Sequence, residues 1–129
     1  MAIGGRRQAE KEPGMFHLKF DESENNGITV LKVSGLLNSE AYYETRDRIR
    51  ALVDSGKKKI VLDLAGLERV GGTGWNALEE TKEENMRREA DIRICCMIEP
   101  VYKVFKEMGL KDNIRTYPTL KQALEDIKA

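Results

Sequence analysis

Between Lys59 and Trp75 the chain reads Lys-Ile-Val-Leu-Asp-Leu-Ala-Gly-Leu-Glu-Arg-Val-Gly-Gly-Thr-Gly-Trp, and no other stretch limits the fold as tightly. Ile60 to Leu64 is a short apolar run, β-branched at its start and set behind Gly56 and three lysines, the pattern of a largely buried strand. A glycine loop follows. From Trp75 to Arg88 there is no Gly or Pro and a high share of Ala, Leu, Glu, Lys and Arg, so the loop opens a helix and places Thr73 at or near its N-terminus. A hydroxyl there lies among unpaired backbone N–H groups at the positive end of the helix dipole, where an added phosphate is well accommodated. The same position suits a plain cap, so Thr73 is both a helix-cap and a phosphorylation candidate.

The rest of the chain builds around that strand. The alternation of Phe16, Leu18 and Phe20 marks a half-buried first strand with His17 on its polar face, and Glu24-Asn25-Asn26-Gly27 turns it into an antiparallel second strand at Ile28 to Val33. Gly35-Leu36-Leu37-Asn38 ends that strand, and Asn38 or Ser39 caps a helix with Tyr42, Thr45, Ile49, Leu52 and Val53 at helical spacing, stopped by Gly56. Beyond the glycine loop and its helix come a strand at Ile92 to Met97 and a short helix opened by Pro100. That helix carries Val101, Val104, Phe105 and Met108 on one face and is closed by Gly109. An edge strand at Ile114 to Tyr117 precedes a last helix, opened by Thr119-Leu120-Lys121-Gln122 as a capping box and lined by Leu120, Ala123, Leu124 and Ile127. A hairpin followed by alternating helices and strands predicts one α/β domain, a mixed and mostly parallel sheet of about five strands with about four helices. In a chain of 129 residues this leaves residues 1–14 as a flexible tail and 15–129 as the domain.

A strand ending Asp63-Leu64-x-x-Leu67, a hydrophobic Val70, a four-residue turn ending Thr73-Gly74 and a helix together resemble the STAS domain, as in bacterial anti-sigma factor antagonists. In that family the turn usually reads Asp-Ser-Ser/Thr-Gly, and its last hydroxyl residue is phosphorylated by a serine kinase that is also the anti-sigma factor. Thr73 is the matching position; Gly71 and Gly72 stand where the family usually has Asp and Ser. In element order the resemblance covers Phe16 to Lys128. It implies a non-enzymatic interaction module with an anti-sigma factor kinase as partner, Thr73 as its switch, and Asn38, Gly72, Gly74 and Trp75 as partner-binding candidates. It equally admits a scaffold subunit of the same fold without a phosphoswitch. Trp75, the only tryptophan, fits either a core anchor beneath the helix or an exposed recognition residue. Glu79, Glu80, Glu83 and Glu84 fit a solvated face or a docking strip.

Other classes find less in the sequence. Twenty-two basic and twenty-two acidic side chains cancel, leaving no overall field for nucleic acid or an anionic membrane. No run approaches the roughly 18 apolar residues of a membrane span and no signal-peptide core is present, so a cytoplasmic location is expected. Gly72-Thr73-Gly74-Trp75-Asn76-Ala77 fits the loose G-x-G-x-x-G/A fingerprint, with Glu99 beyond the next strand, and keeps a small-molecule or nucleotide-binding α/β domain as the alternative. The Walker A lysine is absent, no nucleophile or paired-carboxylate constellation stands out, and no cofactor is implied. Cys95 and Cys96, adjacent in an expected strand, should face opposite sides as small hydrophobes without a disulfide. With His17 the only other soft ligand, no metal site is expected. The oligomeric state is left open.

Overall fold

The computed structural model describes residues 18–38, 42–71, 75–87, 90–110 and 114–128. The expected tail, Phe16, His17 and Ser39 lie outside them. β1 (Leu18–Asn25) and β2 (Ile28–Leu37) pair antiparallel from Leu18↔Gly35 to Asn25↔Ile28. Asn26 and Gly27 both take positive φ at the tip, 52° and 85°, which is what a type I′ hairpin demands and Asn-Gly supplies.

The helix expected after β2 forms as α1 (Tyr42–Asp54), with Thr45, Ile49, Leu52 and Val53 buried and Gly56 taking φ 95° just past its end. β3 (Lys59–Asp63) then runs parallel to β2, pairing from Thr29↔Ile60 to Lys32↔Asp63. A sixth strand follows that the sequence pattern had merged into the loop: β4 (Leu67–Val70) pairs parallel with the far end of the same β2, from Gly35↔Leu67 to Leu37↔Val70. β2 is long enough to hold both partners because Ser34 to Leu37 extend it rather than closing it. The chain continues through α2 (Trp75–Arg87), β5 (Asp91–Cys95), α3 (Glu99–Glu107), β6 (Thr116–Tyr117) and α4 (Leu120–Ile127). β5 pairs parallel with β3 and β6 with β5, so the order is β1-β2-β3-β5-β6 with β4 alongside β2.

Period-two alternation sorts β3 between two apolar layers. Ile60, Leu62 and, just past the strand, Leu64 join the larger cluster, which contains Ile49 of α1, Trp75 and Leu78 of α2, and Val101 and Phe105 of α3. Val61 joins Ile28, Cys95, Ala123 and Ile127 on the face that α4 covers. The strand is therefore closed on both sides. α4 is opened as expected: the Thr119 hydroxyl accepts from the Gln122 backbone N–H at 3.1 Å and donates to Gln122 Oε1 at 3.0 Å.

Three expectations are corrected. α3 docks through Val101 and Phe105, with Tyr102 half-buried beside them, whereas Val104 and Met108 are exposed. The buried arc is turned toward Tyr102, and Met108 lies beyond the last helical residue. β5 stops at Cys95, because Cys96 takes φ 70° and leaves the ladder. That turn brings the two thiols together instead of placing them on opposite faces: both Sγ atoms and a carboxylate oxygen of Asp63 lie within 4.8 Å of one another. Both cysteines are free.

Candidate functional site

The site the sequence singled out is the carboxyl-end rim of the sheet, and β3 and β4 build it in two steps. At the end of β3 the buried Asp63 carboxylate accepts from the Ala65 N–H at 3.0 Å, and the Leu67 N–H donates to the Leu64 carbonyl at 3.0 Å, so the chain makes a tight turn. Gly66 lies against β2: its carbonyl accepts from the Gly35 N–H at 2.8 Å. A Cβ on Gly66 would meet Ser34 Oγ at 2.6 Å and Ser34 Cβ at 2.9 Å. The register slips between Gly35 and Leu36 at the same level, and β4 resumes the pairing. Past it the Gly71 N–H donates to the Leu37 carbonyl at 2.9 Å.

Asn38, exposed at the end of β2, and Gly71, at the end of β4, therefore leave the sheet side by side. Ligands and partners of open α/β sheets are met at this edge, outside the carboxyl ends of the strands. Residues 72–74, with the candidates Gly72, Thr73 and Gly74, lie outside the described residues; the chain is described again at Trp75, the first residue of α2.

Trp75 is 8% exposed and packs in the main core with Leu78 one turn on. Of its two readings, burial favours the core anchor, and its indole fixes where the helix begins relative to the loop. Asn85, unremarked in the sequence, holds the other end of α2. Its side-chain amide donates to the Ile92 carbonyl at 2.8 Å and accepts from the Ile92 N–H at 2.7 Å, the double bond a neighbouring peptide would make. The available signal was a weak helix former inside a Glu- and Lys-rich helix. The outward side of α2 presents Glu83, Met86 and Arg87, with Glu83 and Arg87 4.0 Å apart and exposed, a pair of little energetic weight. Glu79 is half-buried; the side chains of Glu80 and Glu84 are outside the described residues.

Elsewhere the described surface offers less to a nucleotide. A cleft of about 330 Å³ opens beyond β5 and β6 between Met97, Glu99, Tyr102, Thr116, Tyr117 and Pro118. Glu99, the residue considered for a ribose, lines it, but among the described residues no basic side chain does, and phosphates need one or a cradle of N–H groups. On the α4 face, Arg93 binds Asp91, the Tyr117 hydroxyl and Asp126, tying that helix to the sheet edge. The Tyr117 hydroxyl donates to Asp126, and this bond, with Arg93 and Arg115 nearby, holds the Asp126 carboxyl below its ordinary pKa. Burial pushes both thiols of Cys95 and Cys96 upward.

An antiparallel entry hairpin, a parallel continuation and a helix that begins at the sheet's carboxyl-end rim define a small mixed α/β domain. The chain belongs to the STAS domain family, whose model matches residues 19–123. Among solved structures it is similar to an anti-sigma factor antagonist from Mycobacterium paratuberculosis, at 22% identity and a TM-score of 0.78, over 87% of this chain and 95% of that one. A putative anti-sigma factor antagonist from Thermotoga maritima gives 18% identity and a TM-score of 0.76, over 85% and 95%. A sulfate transporter family protein from Wolinella succinogenes gives 17% and 0.66, over 82% and 88%. No curated protein sequence is a significant match. At these identities the structural likeness establishes the fold. No helix among the described residues is long and apolar enough to cross a membrane.

Proposed function

We propose that this STAS domain is a cytoplasmic regulatory interaction module of the anti-sigma-factor-antagonist type, switched by phosphorylation of Thr73, with an anti-sigma factor that is also a serine kinase as its partner. The observation that carries the reading is the closure of the rim. The Gly71 N–H on the Leu37 carbonyl and the buried Trp75 fix the two residues that flank Gly72-Thr73-Gly74 in the sequence, and Asn38 leaves the sheet beside Gly71. A kinase acting between two ends held in this way need not unfold the domain.

The kinase transfers a phosphoryl group from ATP to the Thr73 oxygen, whose proton leaves to a base on the partner. The product gains about 1.5 to 2 negative charges and three acceptor oxygens. The helix start tolerates that charge. A complementary surface closing over the loop does not, because the dianion must be desolvated or opposed beside Glu79 and its acidic neighbours. The full chain used as bait in native lysate, followed by ATP addition to the recovered complex and mass analysis, tests the reading. One phosphate on wild type and none on Thr73→Ala is expected; phosphate at another residue, or recovery of no kinase, contradicts it.

Gly71 and Gly72, in place of the usual Asp and Ser, favour a second reading: a STAS scaffold subunit that binds its partners constitutively. In that case a stable complex is recovered and ATP leaves the chain unmodified.

A further inference from the structure

We propose that Asp63, Cys95 and Cys96 form a binding site for one thiophilic divalent cation, with zinc the ion that the donor set fits. Asp63 and Cys95 are register partners at the carboxyl ends of β3 and β5, and both side chains lie on the face that α4 covers. One more residue of regular strand would have sent the Cys96 side chain to the other face. Instead Cys96 takes φ 70°, a backbone that a non-glycine residue adopts at a cost of about 1 to 3 kcal/mol and that concentrates at ligand sites. The result is two sulfurs and one carboxylate oxygen within 4.8 Å of one another. Asp63 is 4% exposed, and its described partners are the backbone N–H of Ala65 and the thiol of Cys96. Among the described residues no cation pairs with it, although a buried carboxylate ordinarily has one.

Two thiolates and a carboxylate suit a borderline-soft ion. Bonds of about 2.3 Å to sulfur and 2.0–2.2 Å to oxygen put the donors around a tetrahedral zinc roughly 3.3 to 3.8 Å apart. A cluster spanning 4.8 Å closes on such an ion with an inward shift of about 1 Å at its widest pair. Three protein ligands leave the fourth position to water or to an incoming group. Coordination replaces the two S–H protons, which leave to solvent, and the single ion supplies the charge that Asp63 lacks. Entry is from the side of Cys96, which is only half-buried while Cys95 is fully covered. The bound ion would tie the ends of β3 and β5 together on the face opposite Trp75 and α2.

The test is a titration of the full, reduced, chelator-stripped chain with cobalt chloride and then zinc chloride. One equivalent of cobalt with thiolate-to-cobalt charge-transfer absorption, displaced by one equivalent of zinc, is expected. Cys96→Ala and Cys96→Ser, at a half-buried position on the edge of the α4-side cluster, should each lose those bands while the chain still melts cooperatively. Asp63→Asn, which keeps an acceptor for the Ala65 N–H, should bind at least tenfold more weakly. His17→Ala should leave binding unchanged. Cobalt spectra without thiolate bands, affinity unaltered in the Cys96 variants, or binding lost in His17→Ala would each overturn the assignment.

Discussion

Gly66 shows how one residue decides whether the rim exists. It holds no unusual φ; what it needs is space, since Ser34 Oγ stands 2.6 Å from where its Cβ would be and Ser34 Cα at 3.4 Å. Gly66→Ala should therefore cost about 1 to 3 kcal/mol in denaturant melts, the ordinary penalty of forcing a methyl into a filled site. In a Ser34→Gly background the nearest obstacles are gone and the cost should shrink; an equal cost in both backgrounds contradicts the contact. Thr81 and Thr45 present the opposite case. Both are buried, and among the described residues neither hydroxyl has a hydrogen-bond partner. An orphaned buried hydroxyl costs about 1 to 3 kcal/mol, and an apolar group of the same shape removes the cost. Thr81→Val is thus expected to raise stability by about 1 kcal/mol, whereas a loss of that size would reveal a partner for the hydroxyl. None of these contacts is visible in the sequence, because Gly66, Ser34 and Thr81 meet their neighbours through the fold.

At the scale of elements, legibility followed how completely one face decides the pattern. β3 was plain in the sequence because both its faces are covered and Ile60 to Leu64 is unbroken. β4 was not, because only Leu67 is fully buried and Glu68 and Arg69 face solvent; a four-residue strand with one buried position has no readable period. α3 is legible as a helix, yet its apolar spacing points to Val104 whereas the packing runs through Phe105 and Tyr102, whose rings lie 6.4 Å apart. The end of β5 is illegible for a different reason: nothing in Cys95-Cys96 announces a positive φ. α4 was legible through Thr119 and its apolar spacing, but its ionic tether to the sheet was not. That tether has a pH signature. The folded pKa of Asp126 is lowered, first by the Tyr117 hydroxyl and then by Arg93 and Arg115. Its contribution is therefore complete above the ordinary carboxylate value near 4 and is lost as pH falls through the lower folded value. Asp126→Asn should melt earlier than wild type at neutral pH and lose less on acidification below about pH 4; parallel melting curves across that range would remove the tether from the account.

For the whole molecule, the sheet and the loop make separate claims. The sheet requires that β3 be its buried centre. Leu62 is 1% exposed, so Leu62→Ala should cost about 2 to 5 kcal/mol, and a loss under about 0.5 kcal/mol, the size of a surface change, would take β3 out of the core. STAS membership follows from the family match; in the sequence its motif lies in the strand and loop residues around Thr73, and its element order in the periodicity of the rest of the chain. The partner is not legible in the sequence, because a recognition surface is set by outward side chains that carry no period, and only the scaffold beneath it can be read from apolar periodicity. If the loop is a switch, charge there should change binding and leave the fold alone. Calorimetry of wild type and Thr73→Glu against the recovered kinase, with thermal melts of both chains, measures the two effects separately. The expected result is thermal stability within about 1 kcal/mol and partner affinity at least tenfold lower for Thr73→Glu, about 1.4 kcal/mol. Equal affinity for the two forms would leave Thr73 a helix cap and the domain a constitutive interaction module.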